Sequence, residues 1–364
     1  MNRSSIFSSD NRQQHNACLR CFLGVALGPF ILGVLLVQVF LYPSGENWAI
    51  AEVIDTQHSL MREGQESLFK RMFVAEDLRR YKLHALLSKE PVILALGSST
   101  VMQFRGKLFS DDPNYFYNAG GLIHEASQLE EALPILESQP SIKLMIVGLD
   151  LWWFNENRQI REMSTLQDMR DGPSWIADWQ ARLYAYRPVA GMLVDWSKLQ
   201  EALAALWPLF DNVSTFYEYR TIGLMARKGS GWRGSDGSYQ YGWHIARSLK
   251  GLGYVDDRGT LDRIRRGGDR FEPSHRISRD RIVPLETLLQ WSRQHDVLVC
   301  GFLPPLAPEV IEALNRSEMH SGYLEDYQYE MKQLFSAYDM PFVNALDPAD
   351  FQLDIRYHYC PVKL

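Results

Sequence analysis

Three short apolar runs, each closed by a glycine, constrain this chain more than any other feature. Residues 92–96 lead into Gly97, residues 114–118 into Ala119-Gly120-Gly121, and residues 142–147 into Gly148. Runs of this length are too short for independent helices and read as buried strands. Helical patterns follow the first two, the second continuing through Leu136. That is the αβ alternation of a parallel, doubly wound sheet. The rhythm returns after Arg279 with a helical segment (VPLETLLQWSRQHD), a strand at 297–303 ahead of Pro304-Pro305, helical material to Ala337 and a last strand at 341–345.

Between the two halves the alternation is lost. Residues 155–278 hold Trp175, Trp179, Trp196, Trp207, Trp232 and Trp243, with a polar, glycine-rich stretch at 228–242 (KGSGWRGSDGSYQYG). This region reads as an insertion or lid, so the α/β core is expected at 91–154 and 279–364. Residues 44–90 are polar with helically spaced apolar positions, the pattern of a helical linker packed on the domain edge.

The N-terminus adds an apolar segment. No residue from Cys21 to Ser44 is charged, and at about 1.5 Å per residue such a run crosses a hydrocarbon core of about 30 Å. Arg3, Arg12 and Arg20 precede it, while Glu46, Glu52 and Asp55 follow. The positive-inside rule then puts residues 1–20 in the cytoplasm, a single transmembrane anchor at 21–43 and the remaining chain outside. A cleaved signal peptide is the alternative; its apolar region would be shorter and end in a small-x-small site, whereas this one ends in Leu41-Tyr42-Pro43. The lipid bilayer is thus an expected partner. Nucleic acid is not, because the formal net charge is −6 and no basic run occurs. Four cysteines, Cys18, Cys21, Cys300 and Cys360, are too few and scattered for a disulfide framework, and the C-x-x-C spacing of Cys18 and Cys21 has no second pair or His partner to make a metal site. No cofactor is implied.

In open α/β sheets ligands bind beyond the carboxyl ends of the strands. The residues to inspect are therefore Gly97-Ser98-Ser99, Asn118 to Gly121, Gly148-Leu149-Asp150, Leu303-Pro304-Pro305 and the stretch after Ala345. Ser99 is expected at a helix N-terminus, where peptide N–H groups and the dipole favour negative charge. A nucleophilic serine needs such donors for its oxyanion and a base for its proton. Serine is equally a preferred helix cap, so Gly-Ser-Ser alone also reads as ordinary strand-to-helix chemistry.

The order of the blocks, G-S-S, N-A-G and G-L-D after successive strands, resembles the SGNH/GDSL hydrolases over residues 90–155 and 280–347. The resemblance implies a flavodoxin-like, three-layer parallel sheet, here with a large insertion and one N-terminal transmembrane helix. It also implies Ser99 as nucleophile, with Ser98 replacing the usual Asp, and Gly120 as second-block oxyanion donor. Asp150 stands where an oxyanion-hole Asn is expected, so either its carboxylate is turned away or another donor, Asn155, replaces it. The last block, Asp-x-x-His in the family, is approximated by Asp354 and His358, spaced by four, with Asp347 as another orienter of the histidine. The G-L-D-L-W-W-F-N block and the N-terminal span are closest to membrane-anchored envelope members, some of which move acyl groups on exported polysaccharides. The implied setting is a bacterial inner membrane with the main domain periplasmic or extracellular, a glycan or acylated carbohydrate as substrate, and envelope polysaccharide assembly proteins as partners.

Trp152 and Trp153 follow the third block and are expected at the pocket rim, where aromatic faces stack on sugars. Arg233 lies in the glycine-rich stretch, a candidate substrate loop. His124, after the Gly120-Gly121 turn, is a further histidine near the pocket. Two main readings stand: a serine acyl esterase or acyltransferase on envelope glycans, and a non-catalytic relative that binds glycan or scaffolds its assembly. A nucleotide-binding domain is the remaining alternative, without a G-x-x-x-x-G-K-[ST] or G-x-G-x-x-G loop to support it.

Overall fold

The computed structural model describes residues 41–72, 78–159, 163–171, 219–242 and 259–351. The predicted span at 21–43 lies outside these residues except for its last three, and among the described residues no helix is long and apolar enough to cross a membrane. Asp354 and His358 also lie outside them, as does most of 155–278.

The described strands are β1 (Glu66–Phe69), β2 (Ile93–Gly97), β3 (Phe116–Gly120), β4 (Leu144–Gly148), β5 (Tyr219–Ile222), β6 (Ser230–Arg233), β7 (Tyr239–Tyr241), β8 (Leu298–Leu303) and β9 (Phe342–Asn344). Five of them form a parallel sheet in the order β3-β2-β4-β8-β9. Renumbered along the chain, that order is 2-1-3-4-5, the flavodoxin-like winding, whose switch point falls between β2 and β4. The molecule is therefore an α/β protein built on a five-stranded parallel sheet.

Strand alternation explains why both faces are buried. Leu94 and Leu96 of β2 point into the main core, while Ile93 and Ala95 point to the other face, against Phe116, Ile146 and the half-buried Phe104, Phe109 and Phe302. Helices Ile50–Arg62 (α1), Leu78–Leu87 (α2), Arg279–Gln294 (α3), Pro308–Arg316 (α4) and Tyr323–Ala337 (α5) carry the apolar stripes that cover it. In α3 the buried positions Ile282, Leu285, Leu288, Leu289 and Trp291 recur at helical spacing.

The expected helical linker and lid are reorganised into a second sheet. Its order is β5-β1-β6-β7, with β1 parallel to β5 and antiparallel to β6, and β6 antiparallel to β7. Residues 44–90 thus contribute a strand as well as α1 and α2, and the glycine-rich stretch is a β-hairpin. The hairpin docks on the parallel sheet through Asn118 N–H to Asp236 O at 2.7 Å and Tyr239 N–H to Met102 O at 2.9 Å. Gly237, at φ +71, is needed at this junction, because a Cβ there would sit 2.7 Å from Asn118 O.

Candidate active site at the β2–β4 switch point

The chain leaves β2 at Gly97 and tightens into one 3₁₀ turn, Ser99–Val101, which Ser98 caps. This differs from the predicted helix start: a three-residue turn has no macrodipole, so the favourable field expected for Ser99 from a long helix is missing. The turn presses against β4 because residue 148 is glycine. A Cβ on Gly148 would lie 2.2 Å from Val101 Cγ1.

This close approach joins the turn to Asp150. The Thr100 hydroxyl donates to Asp150 Oδ1 at 2.9 Å, and Ser98 Oγ lies 3.2 Å from Thr100 Oγ1. Asp150 is fully buried. Burial pushes its carboxyl up to about 6, against the downward pull of the Ser98 and Thr100 hydroxyls and of Arg270, while Glu125 adds to the rise. The acidic side chain that stood at the expected oxyanion donor position is thus turned to the hydroxyls of the turn. Ser99 itself is buried at 8% exposure, and Thr100 is half-buried.

The other expected donors are engaged elsewhere. Gly120 N–H donates to Asn118 Oδ1 at 2.8 Å, and the Asn118 amide donates to Val101 O at 2.7 Å and Phe104 O at 2.9 Å. Both residues hold the turn against β3 instead of presenting a donor to Ser99. Asn155 Nδ2 donates to Glu272 O at 2.6 Å and its Oδ1 accepts from Asn157 N–H at 2.8 Å. Its role is to anchor the segment at 270–274. An isolated bridge between Asn155 and Ile277 reinforces that anchor.

Trp152 and Trp153 do not form a rim. They are 2% and 0% exposed, in the 3₁₀ turn Leu151–Phe154, which packs beneath α3 and α5. Arg233 is likewise a buried residue of β6; it donates to Gln240 Oε1 and lies over the Tyr219 ring at 4.8 Å. It stabilises the second sheet and stands apart from the β2–β4 switch point. Asp347 accepts from Ala349 N–H at 2.9 Å, capping its own turn after the edge strand β9.

No family model, curated protein or solved structure matches this chain. The chemistry of the site therefore rests on its own geometry.

Structure adds a charged group that spacing did not reveal. Arg270 lies close enough to Asp150 for their charges to interact, with its guanidinium 4.7 Å over the Trp152 ring. Burial lowers its pKa to about 10, with Asp150 and Glu125 opposing that shift and Arg158 and Arg263 adding to it. Glu125 is buried and bridged to Arg158 at 2.8 Å, and Arg158 also reaches Glu272 at 3.6 Å. His124 is held neutral: burial, then Arg79 and Arg270, bring it down to about 4, so it is a weak proton acceptor at neutral pH. Only the glycines at 267 and 268 hint in the sequence that Arg270 sits on an unusual turn. Among the described residues no cluster of three His, Cys, Asp or Glu side chains could hold a metal ion.

Proposed function

We propose that the chain is a serine acyl esterase or O-acyltransferase of the SGNH type, anchored in a membrane and acting on cell-envelope or exported polysaccharide. The observation that carries this reading is the Gly-Ser-Ser-Thr turn at the β2–β4 switch point, pinned to a buried carboxyl on the neighbouring strand end. In the proposed step Ser99 Oγ attacks the ester carbonyl carbon and its proton passes to a base. The ester C–O bond then breaks, and the leaving oxygen takes that proton. Water, or a sugar hydroxyl in the transferase case, accepts the acyl group from Ser99. His358, oriented by Asp354 or Asp347, is the base this reading requires. The oxyanion requires a donor other than Gly120 and Asn155, whose hydrogen bonds are already used. The test is acetate release from an O-acetylated polysaccharide by the full chain. Ser99→Ala should remove it, and turnover that survives this change contradicts the reading.

A second reading is favoured by that same engagement of Gly120 and Asn155: a non-catalytic relative that binds glycan or scaffolds its assembly. It predicts polysaccharide binding unchanged by Ser99→Ala, with no acetate released by either protein.

A further inference from the structure

We infer that Arg270, stacked on Trp152, is the recognition residue for an oxyanion group of the bound ligand, a carboxylate or a phosphate. Its guanidinium donates no hydrogen bond among the described residues. Nη1 is buried without a partner, and the residue's one hydrogen bond is made by its backbone N–H to Glu272 Oε1 at 3.3 Å. Buried arginines ordinarily spend their fork of donors on carboxylates or carbonyls. Here the neighbouring acids do not take them. Glu125 bridges to Arg158 through Oε1 and Asp150 accepts from Thr100 through Oδ1, and both act on Arg270 only across space.

The backbone supports the same assignment. Asp269 and Arg270 both have positive φ, +49° and +88°, a conformation that costs non-glycine residues free energy and collects at ligand sites. The segment is held there by Asn155 on Glu272 O and by Arg158 on the Glu272 carboxylate. An aromatic plate fixes the guanidinium from below, so little side-chain freedom remains to be lost when an anion arrives. Arg158 and Arg263 add to the positive field at Arg270, Asp150 and Glu125 oppose it, and neutral His124 adds nothing. Phosphate or carboxylate would accept the two parallel N–H groups that the protein leaves unused.

As a statement about substrate, this rests on the acyl-transfer reading and extends it to anionic acylated polymers. The probes are inorganic phosphate and acetate, titrated into the full chain against chloride at matched ionic strength, with the thermal midpoint as readout. The midpoint should rise saturably with at least one of them, and which one responds separates phosphate from carboxylate. Arg270→Gln should abolish the response; Arg270→Lys, which keeps charge but loses the fork, should weaken apparent affinity about tenfold. Arg270→Gln should fold normally, since it removes no hydrogen bond; should it not, the lysine variant decides alone. A midpoint that exceeds chloride with neither anion, or a full response in the variants, overturns the inference. Fluorophosphonate labelling of Ser99 separates the two ideas. Labelling without an anion response sinks this one, and an anion response without labelling sinks acyl transfer.

Discussion

Two buried charged clusters lie at the same end of the parallel sheet, and they are built on opposite rules. Around Lys82, the lysine and the aspartate it faces close their hydrogen bonds, and Arg105 Nε, 3.9 Å from Asp236 Oδ2, is the exception. Lys82 Nζ donates to Asn118 O at 2.9 Å and to Gly237 O. Asp236 accepts from Ser238 N–H at 2.8 Å, Ser238 Oγ at 2.6 Å and Gly106 N–H at 2.8 Å. Around Arg270, Asp150 Oδ2, Glu125 Oε2 and Arg270 Nη1 are buried with no partner. Leaving buried polar groups unmatched costs free energy, a cost concentrated in the Arg270 cluster and largely avoided around Lys82. The first cluster fastens the second sheet to the first. The second faces the switch point.

The sharpest way to break the comparison is at the satisfied cluster. Asp236→Ala deletes three hydrogen bonds and leaves Lys82 without its countercharge, an expected loss of about 3–5 kcal/mol in denaturant unfolding. A loss below about 1 kcal/mol would mean the sheets are held otherwise.

Next comes the wall between turn and strand. Gly148→Ala sets a Cβ against Val101 and must displace the Ser99–Val101 turn, at about 1–3 kcal/mol of stability. Under the acyl-transfer reading the same displacement removes most of the turnover. Wild-type activity in this variant would detach the turn from the chemistry.

The two clusters also respond to pH in separate windows. Asp150 has a raised pKa, from 3.8 to about 6, so between these values the folded state holds more protons than the unfolded one. Its contribution is fully present below 3.8 and is lost as pH rises through about 6. Lys82 has a lowered pKa, from 10.5 to about 7, chiefly by burial against the pull of Asp236. Between these values the unfolded state holds more protons, so stability rises with pH. Asp150→Asn should flatten the lower window and leave the upper one intact, as measured by unfolding at stepped pH.

The smallest effect is expected at Arg270. Arg270→Gln should change stability by less than about 0.5 kcal/mol, because among the described residues the guanidinium donates no hydrogen bond. A large loss would show that stacking on Trp152 is structural.

The parallel sheet was legible because buried strands write their own pattern. All five of its strands fall within one or two residues of the apolar runs, and glycine closes β2, β3 and β4 as read. The second sheet was not, because β1 is four residues long and its partner β5 lies far along the chain. Lys82 falls within the polar linker at 44–90, and hydropathy counts lysine as solvated whatever its partners. Ser99 and Asp150 were legible as strand-end residues. Arg270 was not, for it comes from a loop distant in sequence from Asp150, and only folding puts Trp152 beneath it. Trp152 and Trp153 were misread for a related reason, since aromatic residues after a strand suit a rim and a core equally well, and Arg233 because the glycine-rich stretch that carries it is a β-hairpin.

The most direct test of the account is to expose the full chain to a fluorophosphonate probe and map the adduct by mass spectrometry. The account predicts one adduct on Ser99, absent from Ser99→Ala and reduced in Gly148→Ala. No adduct on Ser99 in a folded wild-type chain would contradict it.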